Sequence, residues 1–305
     1  MIVTVTPNIA LDITYTIDEF ELHSSMRVND VADRAGGKGI NVSRVLAALG
    51  YDSLILGLRG GNVGSAIEAD LIASHLRHDL TEIAGQTRRS VGIVDRASGD
   101  ATVLNEAGPT VSPAEWSTLV DSTQRRLAGA TTLVISGSLP PGVEQSAVAQ
   151  LASLAVASGV PVIVDTSGPA LIEAVAIGPD IVKPNGHEIT AATGIEDPLE
   201  GARALLDQGA KAVVVSLGED GMCVVTADRI LRARPTQKIR GNPTGAGDAG
   251  VAALAAGLSV GNTWEERLRQ AVAVSAAAVA HPLAGSYDSD VYNSMLNEVL
   301  VEDIS

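Results

Sequence analysis

The chain has one cysteine, Cys223, in 305 residues. A lone thiol forms no intrachain disulfide and no cysteine-ligated cluster, so the sequence predicts a reduced, cytoplasmic protein in which any metal arrives with a ligand. Aromatic residues are nearly as scarce: two Trp, four Tyr and one Phe. Seven aromatics give almost no surface for base stacking. Hydrophobic residues still make up 46% of the chain, so the core must be built from Ala, Val, Leu and Ile.

Positive charge is also short, with 21 Lys plus Arg against 36 Asp plus Glu and a net charge of −15. That sign predicts no nucleic-acid partner. It also repels anionic metabolites, so a phosphorylated ligand would need a few local cations and backbone amides. The longest apolar runs, Val251 to Val260 and Ala271 to Ala280, fall short of the roughly 20 residues that cross a bilayer. Met1 to Val5 offers no basic leader region, and neither membrane insertion nor export is expected.

What the chain does have is a rhythm. Short Val/Ile-rich runs (Ile2 to Thr6, Leu54 to Leu58, Thr132 to Ser136, Val160 to Asp165, Ile181 to Lys183, Ala212 to Ser216) alternate with Ala/Leu-rich stretches. This predicts an α/β fold with a doubly wound, mostly parallel sheet flanked by helices. Ser112-Pro113 with Glu115 opens one helix, and Ala47-Ala48-Leu49-Gly50 closes another. Residues 12–34 and 88–107 break the rhythm and read as two antiparallel strand pairs standing off the main sheet as a lid, the second around the turn at Ala97-Ser98-Gly99-Asp100. No linker divides residues 1–305, which are expected to form a single domain. Exposed lid edges are adhesive, so a homodimer joined through the lids is expected.

Three groups of residues could carry chemistry. Gly245-Ala246-Gly247-Asp248 precedes the small-residue helix Gly250 to Leu258. Small residues at a helix start let amides approach the charge of a transferring phosphoryl group, and Asp248 could accept a hydroxyl proton. A tight turn with an acidic residue at a helix start explains the same letters. Gly36-Gly37-Lys38-Gly39-Ile40-Asn41 opens a second helix, where Lys38 and Asn41 offer a charge and an amide; it matches neither a Walker A loop nor a dinucleotide fingerprint. A flexible turn is the competing explanation. Lys183-Pro184-Asn185-Gly186-His187-Glu188 and Ser216-Leu217-Gly218-Glu219-Asp220-Gly221 follow strands, where open α/β sheets bind ligands. Asn185 and Glu188 could orient hydrated Mg2+, and Ser216 with the Gly218 amide could meet nucleotide phosphate. The five histidines show no metal-ligand spacing, and Cys223 reads as a small core residue.

Taken in order, Asp12, the Gly36 to Asn41 run, Asn105-Glu106-Ala107-Gly108-Pro109, Ser136-Gly137-Ser138-Leu139-Pro140-Pro141-Gly142, Asp165-Thr166-Ser167-Gly168, Lys183-Pro184-Asn185, Val215-Ser216-Leu217-Gly218 and Gly245-Ala246-Gly247-Asp248 span residues 1–285. This succession resembles the ribokinase-like, PfkB-type carbohydrate kinases, in the branch with 1-phosphofructokinase, tagatose-6-phosphate kinase and the minor 6-phosphofructokinase.

The resemblance implies ATP and Mg2+ as cofactors and a ketohexose phosphate as acceptor. Asp248 is then the base, and the amides of Gly245, Ala246 and Gly247 form the anion hole. Asn185 and Glu188 belong to the Mg2+ and phosphate network, with Lys183 beside it. Ser216, Gly218 and Gly221 match nucleotide positions. Asp12, Gly37, Lys38 and Asn41 match sugar positions, while Arg27, Arg88, Lys38 and Ser138 would hold the substrate's own phosphate. The adenine is expected in an aliphatic pocket near the loop before Ala271. The alternatives are a neutral-sugar or nucleoside kinase of the same fold, a noncatalytic sugar or nucleotide sensor, and a dinucleotide oxidoreductase, which the missing fingerprint disfavours.

Overall fold

The computed structural model describes residues 1–305. In chain order the elements are β1 (Ile2–Thr6), β2 (Ala10–Ile17), β3 (Asp30–Gly36), α1 (Lys38–Ala48), β4 (Ser53–Arg59), α2 (Gly61–Ala73), β5 (His78–Glu82), β6 (Arg88–Asp95), β7 (Ala101–Asn105), α3 (Pro113–Leu127), β8 (Thr132–Ser136) and α4 (Ala147–Ala157). The second half continues with β9 (Val162–Asp165), α5 (Pro169–Val175), β10 (Ile181–Val182), α6 (Gly186–Thr193), α7 (Pro198–Asp207), β11 (Ala212–Ser216), β12 (Met222–Thr226), β13 (Ile230–Arg234), α8 (Ala246–Ser259), α9 (Trp264–Val279), α10 (Ser289–Glu298) and β14 (Leu300–Asp303).

The main sheet runs β14-β13-β12-β11-β10-β9-β8-β1-β4-β5. From β11 to β5 every pairing is parallel. Parallel strands need helical crossovers, which cover both faces, so these strands read as continuous apolar runs. Val3, Val5, Leu133 and Val164 point into a cluster with α3, α4, α5 and α7. Their neighbours Ile2, Val134 and Ile163 point the other way, into a cluster with α1, α8 and α9. Beyond β11 the ladder turns antiparallel through β12, β13 and β14, an edge the strand rhythm does not announce.

Local signals are realised closely. Ser112 and Glu115 form a reciprocal capping box at the start of α3, with Pro113 in the first turn. β9 begins at Val162 rather than Val160, because Pro161 has no N–H to give the ladder. α8 begins four residues before the expected Gly250, at Ala246, so Asp248 lies inside the first helical turn. Gly245 caps this helix with φ of 86°, a left-handed conformation that glycine adopts without strain.

The two segments that break the rhythm form the expected antiparallel pairs, β2 with β3 and β6 with β7. They join through a parallel β2–β6 contact into a four-stranded sheet ordered β3-β2-β6-β7. Register places Asp12, Ser90 and Asn105 side by side on one face of this small sheet. The opposite face carries Ile13, Val91 and Leu104. No helix of the protein is long and apolar enough to cross a membrane.

Candidate active site

A cleft of about 1900 Å³ opens between the small sheet and the carboxyl ends of the main-sheet strands. One drug-sized ligand fills about 300–1,000 Å³, so the space accommodates two small substrates together. Asp12, Gly37, Lys38, Asn41, Arg88, Ser138, Lys183, Asn185, Glu188, Ser216, Gly218, Gly221, Gly245, Ala246, Gly247 and Asp248 all line it. Arg27 does not. It is exposed in the loop between β2 and β3, outside the cleft lining.

Behind the cleft lining, and not itself part of it, stands Asp165, the last residue of β9 and 1% exposed. Its Oδ2 accepts from Ser136 Oγ at 2.8 Å and lies 3.4 Å from Lys38 Nζ, while Oδ1 lies 3.4 Å from Lys183 Nζ. Burial opposes ionisation here, yet Lys183, Lys38 and Ser136 together hold the carboxyl below the usual carboxylate range. In return Asp165 holds the Lys38 ammonium above its usual range. Lys183 continues toward the start of α8, where its Nζ is 3.6 Å from the point a Cβ on Gly247 would occupy.

Asp248 is 7% exposed and accepts from Asn41 Nδ2 at 2.9 Å through Oδ2. Burial pushes its carboxyl up to about 6, partly offset by Lys38. A carboxylate that titrates near neutrality suits a general base. Asp12 also rises to about 6, again through burial and against the pull of Arg88 and Arg34. Gly36 makes room for it: a Cβ there would fall 2.0 Å from Asp12 Oδ2. Arg88, at the base of β6, donates through Nε and Nη2 to Asn8 O and through Nη1 to Glu106 O, each at 3.2 Å.

Asn185 and Glu188 form a reciprocal capping box on α6, each backbone N–H donating to the other's side chain at 2.9 Å. Glu188 Oε2 is thereby engaged, and Oε1 makes no hydrogen bond within the chain. No three His, Cys, Asp or Glu side chains cluster into a metal cage. The Glu188 carboxylate, part of the cleft lining, suits a hydrated Mg2+ held chiefly by phosphate. An aliphatic stretch of the cleft lining is formed by Val272, Ala276 and Val279 of α9 itself, rather than by the loop before Ala271, together with Met222 and Ile239.

The sequence profile described as pfkB family carbohydrate kinase matches residues 6–290. The chain belongs to that family. Phosphofructokinase-2 from Escherichia coli superposes with a TM-score of 0.91 at 31% identity, covering 97% of this chain and 98% of that one. A possible 1-phosphofructokinase from Thermotoga maritima gives a TM-score of 0.91 at 28% identity over all of both chains. Arabidopsis thaliana ribokinase, at 22% identity and a TM-score of 0.76 over 97% of this chain and 98% of that one, shares the fold. PfkB kinases use ATP as phosphate donor, generally with Mg2+. This member is thus a sugar kinase of the ribokinase-like α/β fold.

Asp165, Ser136 and Asn8 were not singled out as site residues by sequence reasoning. The first two appear there only as letters of longer motifs. The usable signal for Asp165 is an acidic residue at the exit of a wholly apolar strand, where a parallel sheet binds ligands.

Proposed function

We propose that this PfkB kinase transfers the γ-phosphate of ATP to a hydroxyl of a ketohexose phosphate, namely fructose 1-phosphate, tagatose 6-phosphate or fructose 6-phosphate, giving a hexose bisphosphate. Arg88 carries this reading. In a strongly acidic chain, one guanidinium is fixed in the cleft by carbonyls of Asn8 and Glu106, on the face of the small sheet that also bears Asp12. A guanidinium held in a set orientation recognises a phosphate dianion through charge-assisted hydrogen bonds. The likeness to a phosphofructokinase-2 at 31% identity supports the same acceptor class.

Asp12 and Asn41 orient the sugar, and Arg88 with Lys38 and Ser138 holds its phosphate. Asp248 takes the proton of the attacking hydroxyl while the Gly245, Ala246 and Gly247 amides and Lys183 face the charge that grows on the phosphoryl oxygens. Ser216, Gly218 and Gly221 hold nucleotide phosphate, and the aliphatic wall of α9 receives the base. Mg2+ arriving with ATP, near Glu188 and Asn185, supplies charge neutralisation on the phosphates. The whole chain acts as one cytoplasmic kinase unit. The small sheet, segments 12–34 and 88–107, closes over the cleft as a lid and keeps water from the reaction.

The homodimer is part of the proposal. Val31 and Leu104, 62% and 57% exposed, lie on the face opposite Asp12, and β3 and β7 leave both edges of the small sheet unpaired. A second copy covers such a surface most simply. Arg27, exposed on the same lid, remains a candidate phosphate ligand.

Coupled ADP release with the three sugar phosphates, fructose and adenosine tests the assignment. Turnover of one sugar phosphate, with a KM raised tenfold or more by Arg88→Ala, is expected. Preference for fructose or adenosine, with no effect of Arg88→Ala, would favour the neutral-acceptor alternative, and saturable binding without ADP release would favour a sensor.

A further inference from the structure

We infer that Asn41 is a positioning residue for Asp248, and that the bare α-carbon of Gly285 keeps Asn41 in place to do so. The inference rests on the reading of Asp248 as the base.

Asn41 sits in the first turn of α1, where its backbone N–H donates to Gly37 O at 3.0 Å. Its side chain is 6% exposed, and Nδ2 donates to Asp248 Oδ2 at 2.9 Å. An ionised carboxylate only accepts, so this contact fixes which end of the amide faces Asp248. The amide oxygen must then point away. It is buried there without a hydrogen-bond partner.

What it meets is Gly285. A Cβ on Gly285 would lie 2.9 Å from Asn41 Oδ1 and 3.2 Å from Asn41 Cα, in a backbone with φ of 74°. The same short segment also supports the other side of the site, since a Cβ on Gly245 would lie 2.9 Å from Ala284 Cβ and 3.2 Å from Gly285 N. Ala284–Gly285 therefore wedges against both the Asn41 amide and the turn that launches Asp248. Neither residue lines the cleft.

The consequence is a division of labour between the two carboxylate oxygens. Oδ2 is held by Asn41, and Oδ1 is left to receive the proton of a ligand hydroxyl. The charged groups facing Asp248 are Lys38 on α1, Lys183 after β10 and Asp165 at the end of β9. None of them contacts Oδ2 within hydrogen-bond distance, so the orientation depends on the neutral amide. Donation to the ionised form favours that form, in the same direction as the lysines.

The test reads Asp248 directly by ¹³C carboxyl NMR titration of the free protein, with the signal assigned from Asp248→Asn. Asn41→Ala is expected to raise the midpoint by about one pH unit, and Gly285→Ala to move it the same way. If Gly285 acts through Asn41, the double variant titrates with Asn41→Ala alone. In turnover, the acid limb of the kcat profile should move up with the midpoint while the KM for ATP is unchanged. An unmoved midpoint in Asn41→Ala overturns the inference, as does a change confined to the sugar KM. Full additivity in the double variant removes the role of Gly285. A shifted midpoint in a protein that phosphorylates none of the sugars would sustain the positioning contact and defeat the functional reading instead. Asn41→Ala is compatible with the helix, so the test survives if Gly285→Ala does not fold.

Discussion

Lys183 Nζ lies 3.4 Å from Asp165 Oδ1, and both side chains are almost wholly buried. A buried ammonium is tolerated only with a counter-charge, and this carboxylate also serves Lys38 and Ser136. One side chain at the end of β9 thereby fixes cations from α1 and from the segment after β10.

Asp165→Asn keeps the shape and removes the charge. Breaking a buried pair from one side costs about 3–5 kcal/mol, so thermal unfolding at pH 7 should shift down by several degrees. Because the folded carboxyl titrates below the ordinary 3.8, this contribution is present above that value and disappears as pH falls through the lower folded value. An unchanged Tm would mean that Lys183 finds another partner.

Asp248→Asn should have opposite effects on activity and stability. Turnover should fall by 10³-fold or more, with ATP binding retained. A carboxyl raised from 3.8 to about 6 binds its proton more tightly when folded, so stability declines as pH rises between those values and the penalty is complete above about 6. Removing the charge is therefore expected to stabilise the protein by about 1–3 kcal/mol at pH 7.5 and by little near pH 4. Calorimetry at the two pH values measures the difference, and an equal Tm change at both would contradict it.

Burial pushes the Asp12 and Asp248 carboxyls up to about 6, and in the proposed mechanism both must be ionised to hold and activate a hydroxyl. The acid limb of log kcat/KM for the sugar should therefore steepen toward a slope of two below pH 6. Asp12→Asn should reduce it to one. A slope of one in the unaltered enzyme would leave only one of the two carboxylates in the rate law.

Gly36→Ala places a methyl group where the Asp12 carboxylate lies. The carboxylate must turn out of its position, and the expected result is a sugar KM raised tenfold or more at unchanged KM for ATP. Similar effects on both KM values would indicate a general disturbance of β3.

The parallel strands were readable because burial on both faces turns each into an apolar run, as in Val3, Val5 and their neighbours. β5 and β14, with sequences HDLTE and LVED, carry no such run and are strands because a neighbour's ladder recruits them. The glycine turn before α8 was legible as letters, but not its length, since Ala246 to Ala249 have the composition of either a loop or a helix. Asp165 was visible only as part of a motif, because its partner Lys38 is 127 positions away and no local spacing reports that meeting. Asn185 and Glu188 are legible as a pair, and the structure shows that each caps the other at the start of α6.

Asn41 and Asp248 meet across 207 positions of chain. Docking α1 and α8 on the same face of the sheet therefore closes a long loop, and contacts of that span are slow to form. A polypeptide lacking the last third would carry the glycines before α1 yet not Asp248, so under the proposed mechanism it could not transfer phosphate.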